Sequence, residues 1–174
     1  MRVLDMVVAA MRTGEDRPTD DFVAFYSANV DRVYRALAVT LRRDDLAQEA
    51  ADEAMARAYA KWATVRTLDN PAGWVFRVGL NWATSFWRKV HRERPPADES
   101  QHPRSGPPDT DVVARRALAR LPTPQRAVVT CRVLLDMTTA ETAVALGLNE
   151  GTVKSRLSRG LAAMRSALGE HERA

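Results

Sequence analysis

Residues 146–159 read LGLNEGTVKSRLSR and predict the turn and second helix of a helix-turn-helix. Gly147 can supply the turn, and the side-chain oxygen of Asn149 can accept from free N–H groups in the first turn of the next helix. Apolar residues then recur at helical spacing and form one stripe, made of Val153, Leu157, Leu161, Met164 and Leu168. Two short helices joined in this way form a helix-turn-helix.

The opposite side of this helix carries hydroxyl and basic groups, from Lys154, Ser155, Ser158 and Arg159. Such groups near a helix N-terminus suit the phosphate-lined major groove of DNA, where basic side chains read guanine edges. Arg132 and Arg126 precede the motif and are better placed for the DNA backbone. A surface ion pair is the alternative for Arg126, and an ordinary basic surface helix is the alternative for the whole motif.

Positive charge is concentrated in the same part of the chain. The 174 residues carry a net charge of +4, from 26 Lys and Arg against 22 Asp and Glu. Between Asp111 and Ala174 there are 10 basic and 6 acidic residues, whereas the rest of the chain holds 16 of each. The excess therefore lies where attraction to phosphates needs it.

A proline-rich segment at residues 92–110, RERPPADESQHPRSGPPDT, divides the chain. It has no apolar period, so we expect a flexible or extended linker. It separates a domain at 20–91 from a C-terminal domain at 111–174. Residues 1–19 are expected to be an N-terminal extension, with a short helix over Met1–Arg12.

Helical periodicity runs through both parts, and the sequence has no alternating strand pattern. The predicted fold is all-α, with two small helical domains joined by the linker and the helix-turn-helix in the second. In the first domain the predicted helix starts are Asp20 or Asp21, Asp44 or Asp45, and Asn70 before Pro71. In the second, Thr123 is a predicted cap, and Thr138 and Glu141 form a capping-box pattern.

Aromatic and basic residues interleave in residues 74–94, WVFRVGLNWATSFWRKVHRER. Aromatic faces can stack on unpaired bases while basic groups follow the backbone, and the amide of Asn81 can bond a base edge. The alternative is a core helix with a solvated basic side. Trp74 falls on the core stripe, but helical phase alone leaves both interpretations open for the other residues.

The alanine-rich helix over residues 44–62 has an acidic side, for which a solvated surface and a partner-binding surface are the two interpretations. The three histidines, at His91, His102 and His171, lie in or beside the predicted linker and tail, so none can serve a catalytic carboxylate there. The sequence shows no phosphate loop, metal cluster or nucleophile elbow. We therefore expect no enzyme, no metal and no cofactor.

Cys131 is the only cysteine, which excludes an internal disulfide and a zinc site. Its apolar neighbours predict a buried small hydrophobe. No uninterrupted apolar segment approaches the roughly 20 residues that a membrane helix requires. Asp5 interrupts the short apolar run at the N-terminus, which argues against a signal peptide. We expect a cytoplasmic protein.

Four segments, in this order and spacing, resemble the bacterial RNA polymerase sigma factors of the extracytoplasmic-function (ECF) group in the sigma-70 family. Residues 22–26 with 33–35 are similar to region 2.1, 46–62 to region 2.2, 70–82 to regions 2.3 and 2.4, and 121–159 to region 4. The resemblance covers residues 22–168. It implies a transcription initiation factor that binds RNA polymerase core and directs it to specific promoters.

The resemblance also implies roles for individual residues. The minus-ten element would be melted and captured by the loop at residues 65–70 and the following helix, with Arg77, Asn81, Trp82 and Arg88. The minus-35 element would be read as duplex by Lys154, Ser155, Ser158 and Arg159, with Arg132 near its backbone. The clamp helices of the large polymerase subunit would be contacted by Asp52, Glu53 and Arg57. An anti-sigma factor commonly covers these surfaces in the family.

Some positions depart from the family pattern. Asp52 replaces a usual glutamine, Met55 a phenylalanine, Thr142 an isoleucine and Gly160 an alanine. Gly160 is expected to cost the helix up to ~1 kcal/mol relative to alanine.

From the residues alone, two other functions stay open. One is a stand-alone helix-turn-helix regulator that binds inverted half-sites as a dimer, and the other is a purely protein-binding helical module.

Overall fold

Every secondary-structure element of the chain that the computed structural model describes, residues 18–93 and 110–171, is a helix. This confirms the predicted all-α class. Side chains are described for residues 21–86 and 113–169. The expected helix at Met1–Arg12 and residues 94–109 of the predicted linker lie outside the described residues. Within the described ranges no helix has the length and apolar character to cross a membrane.

The N-terminal module, residues 18–93, contains helices α1 (Pro18–Leu41), α2 (Asp44–Ala60), α3 (Trp62–Val65) and α4 (Pro71–Glu93). The C-terminal module, residues 110–171, contains α5 (Thr110–Arg120), α6 (Thr123–Val129), a π-helix (Thr130–Leu134), α7 (Thr139–Leu146) and α8 (Glu150–His171). Residues 92, 93 and 110, at the edges of the predicted linker, are helical. The sequence did not indicate the π-helix, which directly continues α6.

Some predicted helix starts are confirmed. The Asn70 side-chain oxygen accepts from the backbone N–H of Gly73 at 2.8 Å, and Pro71 takes the first helical position of α4. Thr138 and Glu141 form the predicted capping box at α7, in which each side chain accepts from the other residue's backbone N–H. Both starts follow from bonds between residues three apart, which sequence patterns specify well.

Other predicted caps are wrong. Helix α1 begins at Pro18, so Asp20 and Asp21 lie within its first turn. Helix α2 is capped by Arg43, which has no side-chain cap bond, and Asp44 and Asp45 again lie in the first turn. The carboxylates of Asp21, Asp44 and Asp45 still suit the positive end of the helix dipole from these positions. Helix α6 begins at Thr123 itself, with Pro122 at the cap.

Small residues bring α2 and α4 close together. The inward side of α2 is mostly alanine, with Leu46, Ala47, Ala50, Ala51, Ala54, Met55 and Ala58 all buried. Gly79 of α4 faces this side, and a Cβ atom there would lie 3.0 Å from the Ala50 carbonyl oxygen. Phe22, Leu37 and Phe76 from α1 and α4 are fully buried and fill the remaining space. This packing leaves the acidic side of α2 at the surface.

The apolar stripe predicted on α8 is confirmed from Val153 to Met164, whereas its last predicted member, Leu168, is in no core cluster. Val153 is fully buried against Val128 and Ala143, and Leu157, Leu161 and Met164 are partly buried against α5 and α6. Because the stripe takes the inward side of α8, its basic and hydroxyl groups are directed to the opposite side.

One apolar core joins the two modules. Cys131 from the π-helix, Leu135 and Met137 from the following loop, and Ala145 from α7 are buried in the same cluster as the side chains of α1, α2 and α4. The Cys131 side chain is fully buried, which confirms the prediction of a small hydrophobe. Burial raises the pKa of its thiol to about 12.

Gly160 lies where α8 passes against α6. A Cβ atom there would lie 2.7 Å from Cγ2 of Val129, a side chain that is almost fully buried and β-branched, so it has little freedom to move. Glycine lowers the helix propensity at this position, but the contact with Val129 leaves no space for a larger residue. The sequence did not indicate this packing requirement.

We expect Gly160→Ala to lower the free energy of unfolding by about 1–3 kcal/mol, because the added methyl group overpacks the contact with Val129. Gly151→Ala is the matched control, since its Cβ would make only an ordinary contact, 3.4 Å from the Asn149 side-chain oxygen. The control is expected to gain up to ~1 kcal/mol from helix propensity. Urea unfolding of both variants measures the difference, and a stabilised Gly160→Ala variant would contradict the packing argument.

We expect Cys131 to resist a thiol reagent at pH 8 in the folded protein. A thiol whose pKa is raised to about 12 stays protonated at that pH, and the thiolate is the reactive form. Labelling with an aromatic disulfide reagent, with and without urea, measures this. Reaction only after unfolding is the expected result, whereas rapid labelling of the native chain would show that the thiol is accessible.

Candidate nucleic-acid interface

The helix-turn-helix is formed by α7 and α8. Gly147 ends α7 with a φ of 65°, the left-handed conformation that favours glycine. Asn149 caps α8, since its side-chain oxygen accepts from the backbone N–H of Thr152 at 2.8 Å. These local bonds fix the direction in which α8 leaves the turn, as the sequence predicted.

The recognition face of α8 comprises Lys154, Ser155, Ser158 and Arg159. Lys154, Ser158 and Arg159 are exposed, and the half-buried Ser155 donates its hydroxyl to the Thr152 carbonyl at 3.1 Å. The structure thus brings the four predicted residues together on one side of the first three turns, opposite the buried Val153. Three basic side chains, with Arg156 at the edge, give this face its positive charge.

Arg132 lies on the π-helix and is half-buried. Its Nη1 atom donates to the Met137 carbonyl, just before the capping box of α7. The side chain thus supports the loop that leads into the helix-turn-helix. One nitrogen of the guanidinium is therefore already engaged within the protein. The predicted contact with the DNA backbone stays a prediction for this residue.

Arg126 does not lie on the candidate DNA surface, and it forms no ion pair with the side chains that the structure describes. Its side chain is almost completely buried, with Nη1 donating to the Leu121 carbonyl at 3.1 Å and Nη2 to the Thr123 hydroxyl at 3.1 Å and the Thr40 carbonyl at 3.4 Å. Burial is the main reason its pKa is lowered, and the nearby charge of Arg42 lowers it further. Both sequence-based interpretations of Arg126 are therefore wrong.

A second candidate surface, called the strand face because it is the candidate site for a single DNA strand, comprises the loop at residues 66–70 and the exposed side of α4 with Arg77, Asn81 and Trp82. Loop residues 66–69 are exposed, Asn81 is exposed, and Arg77 is half-buried. Trp82 packs on the core with one side and stacks on Phe86, with ring centroids 5.2 Å apart and an interplanar angle of 11°. Arg88 belongs to α4, but its side chain lies outside the described residues.

A cleft of about 410 Å³ separates α4 from the helix-turn-helix. One wall is formed on α4 by Arg77 and Asn81 of the strand face, with Leu80 and Thr84. The other is formed by residues 144–147 at the end of α7. Val144 is 65% exposed there, the most exposed large apolar side chain among the described residues. The sequence did not indicate this second wall, because it depends on how the two modules pack.

The acidic face of α2 comprises Asp52, Glu53 and Arg57. Glu53 accepts from Arg57 at 2.7 Å, one helical turn away, and Asp52 accepts from the Gln48 amide at 3.2 Å. The face extends onto α1 through Tyr26, whose pKa is raised first by burial and then by the charges of Asp52 and Asp31. Sequence reasoning missed Tyr26, since only the packing of α1 on α2 brings it to these carboxylates.

Comparison with known proteins supports the sequence resemblance. The family model "Sigma-70, region 4" matches residues 112–164. RNA polymerase sigma-E factor of Streptomyces coelicolor is 39% identical over 128 residues, which cover 70% of this chain and 71% of that protein. The ECF RNA polymerase sigma factor SigM of Mycobacterium tuberculosis is 30% identical over 141 residues, covering 79% and 72%.

Two solved structures share the fold. The sigma factor RpoE of Bartonella quintana, solved with the anti-sigma factor NepR, matches with a TM-score of 0.67 at 22% identity, covering 86% of this chain and 97% of that one. CnrH, solved with the cytosolic domain of CnrY, matches with a TM-score of 0.56 at 19% identity, covering 95% and 96%. The sequence relatives show that this chain belongs to the ECF group of sigma factors in the sigma-70 family, non-enzymatic proteins that direct RNA polymerase to promoters to initiate transcription.

Proposed function

We propose that this sigma factor divides promoter recognition between its two candidate DNA surfaces. The recognition face of α8 reads the minus-35 element as duplex, and the strand face melts and holds one strand of the minus-ten element. One observation carries this proposal: two exposed polar and basic surfaces lie on different modules, one at a helix-turn-helix and one beside stacked aromatic rings.

The recognition face has the chemistry for duplex reading. Lys154 and Arg159 can donate to guanine acceptors in the major groove, and Ser158 can bond a base or a phosphate. The α8 N-terminus adds oriented N–H groups that favour contact with phosphate. Arg132, beside the loop that leads into α7, is proposed to contact the DNA backbone.

The strand face has the chemistry for unpaired bases. Trp82 and Phe86 present stacked rings, and base–aromatic stacking holds single strands without requiring base pairs. Asn81 can bond a base edge, and Arg77 with Arg88 can follow the backbone. The exposed loop at residues 66–69 offers backbone groups and Leu68, which is 38% exposed, to a base that has left the duplex.

The acidic face of α2 is proposed to dock on the clamp helices of the large polymerase subunit. Its charged groups are held in register by the Glu53–Arg57 pair, and they lie on a helix whose other side is fixed by buried alanines. A helix that is rigid on one side and charged on the other suits docking against helices of complementary charge.

The proposal also assigns a sigma region to each part of the chain and includes a regulatory partner. Residues 20–91 act as sigma region 2, 92–110 as a linker and 111–174 as region 4, in the cytoplasm where polymerase works. We also propose that an anti-sigma factor binds this chain, because the Bartonella quintana RpoE was solved in complex with one.

Reconstitution with core polymerase tests the function. We expect the chain to co-elute with core, and the mixture to give promoter-specific run-off transcripts from genomic DNA. Glu53→Lys should weaken core binding severalfold by reversing a charge on the acidic face, whereas Asp21→Lys, which breaks a similar exposed pair with Arg66, should not. Failure of the wild-type chain to bind core or to start specific transcripts would refute the proposal.

Arg159→Ala tests the minus-35 assignment. We expect the holoenzyme to lose about 1–3 kcal/mol of discrimination for its minus-35 sequence, the typical value of a bidentate base contact. Arg165→Ala removes the same charge from an exposed position further along α8 and is expected to leave that discrimination unchanged. Transcription from promoters mutated at single minus-35 bases measures it. If base preference is the same in both variants, Arg159 does not read a base.

A further inference from the structure

We propose that Gly151 is the point of closest approach between α8 and the promoter duplex, and that its missing side chain determines how deeply α8 enters the major groove. The inference rests on the proposed function of the recognition face, and it concerns a residue to which that function gives no role. Gly151 is the second residue of α8 and is exposed. Its surface is therefore open to a partner from outside the chain.

The fold itself does not require a glycine at position 151. Apart from its sequence neighbours and the nearby backbone of α8, the only heavy atom of the described chain within 4 Å of an added Cβ is the Asn149 side-chain oxygen, at 3.4 Å. The backbone of Gly151 is not left-handed, since the glycine with a positive φ among the described residues is Gly147. Alanine would therefore fit into the folded chain, and it is more favourable than glycine in a helix.

Other glycines of the chain are explained by the fold. An added Cβ would lie within 3.1 Å of another heavy atom at Gly73, Gly79 and Gly160, so packing inside the protein accounts for these three. Gly147 has a φ of 65°, which a side chain would disfavour. Neither reason applies to Gly151. Close approach of a binding partner to the helix backbone is the remaining physical reason for a glycine there.

Gly151 lies on the same side of α8 as the centre of the recognition face. Ser155 and Ser158 are four and seven residues further along the helix, and residues at these spacings share one side. The long basic side chains of Lys154 and Arg159 flank this line of small residues, one on each side. The recognition face therefore has a low centre, with long hydrogen-bond donors at both edges.

The serines of this face need a close approach in order to contact bases. A serine hydroxyl extends only one bond beyond Cβ, whereas the donors of lysine and arginine extend several bonds further. For Ser158 to contact a base edge, the backbone of α8 has to lie close to the floor of the groove, and the N-terminal residues of a recognition helix are the ones nearest the base edges. A side chain at position 151 would hold the helix away from the duplex, and glycine removes that obstacle.

Enlarging residue 151 in the holoenzyme tests the inference. Gly151→Ala adds one methyl group, Gly151→Leu adds a larger side chain, and both new residues favour a helix. The matched control, Ala163→Leu, adds bulk at an exposed position of α8 that is roughly 18 Å further along the helix axis. Each holoenzyme is titrated with two duplex fragments of a promoter mapped in the reconstitution experiment, one intact and one with its minus-35 element replaced.

We expect Gly151→Ala to weaken binding to the intact promoter about tenfold, a typical effect of forcing one methyl group into a close contact, and Gly151→Leu to weaken it further. Ala163→Leu should bind like the wild type. On the fragment without the minus-35 element all the holoenzymes should bind alike, because α8 is not seated on its element there. In urea unfolding of the free chains, Gly151→Ala should be at least as stable as the wild type, so that the lost affinity does not come from a damaged fold.

Unchanged binding of both Gly151 variants to the intact promoter would overturn the inference, and so would an equal loss on the two fragments, which would place the effect outside the minus-35 contact. A Gly151→Ala chain that is less stable than the wild type would show that the fold requires the glycine, and would also overturn it. If the wild-type holoenzyme itself binds both fragments equally, the recognition face does not read a minus-35 element, and that part of the proposed function fails together with the inference.

Discussion

The arrangement of the two modules, residues 18–93 and 110–171, depends on the burial of one short segment, residues 131–137. Its buried side chains Cys131, Leu135 and Met137 enter the core of the N-terminal module. Its backbone folds back on itself through a bond from the Met137 N–H to the Cys131 carbonyl at 3.1 Å. Asp136 turns the chain with a φ of 50°, a conformation that aspartate tolerates better than most residues. A buried loop must pair its carbonyls, and this one does so with Arg32 and Asn70.

This segment leads directly into the capping box of α7, so its position determines where the helix-turn-helix lies relative to α4. The alanine stripe of α2 similarly determines the position of α4 within the N-terminal module. It allows α4 to approach closely at Gly79, so that one helix pair presents the acidic face on α2 and the strand face on α4. The proposed polymerase-binding face and the proposed strand-binding face are thereby held at a constant separation by small side chains that have almost no conformational freedom.

Features that depend on residues within about four positions of each other could be predicted from the sequence. The capping box of Thr138, the turn at Gly147, the cap at Asn149 and the apolar stripe of α8 are all of this kind. The contacts between the modules could not be predicted, because they join residues that are far apart in sequence, such as Arg32 with Leu134. The π-helix has no simple periodic signature, and Arg126 resembles any basic residue on a helix.

Arg126 shows how a buried cation is held where the two modules meet. Its guanidinium meets no carboxylate among its described partners and is held instead by carbonyls at the C-terminal ends of two helices, Leu121 after α5 and Thr40 near the end of α1. Helix C-termini carry partial negative charge, so they stabilise the cation without neutralising it. A third carbonyl, of Ala119 in α5, accepts at 3.5 Å, and of the three carbonyl bonds only the one to Thr40 joins the two modules. The contact between the modules therefore combines buried apolar side chains with directional polar bonds, and the polar bonds define its geometry because each needs its partner at a fixed distance and angle.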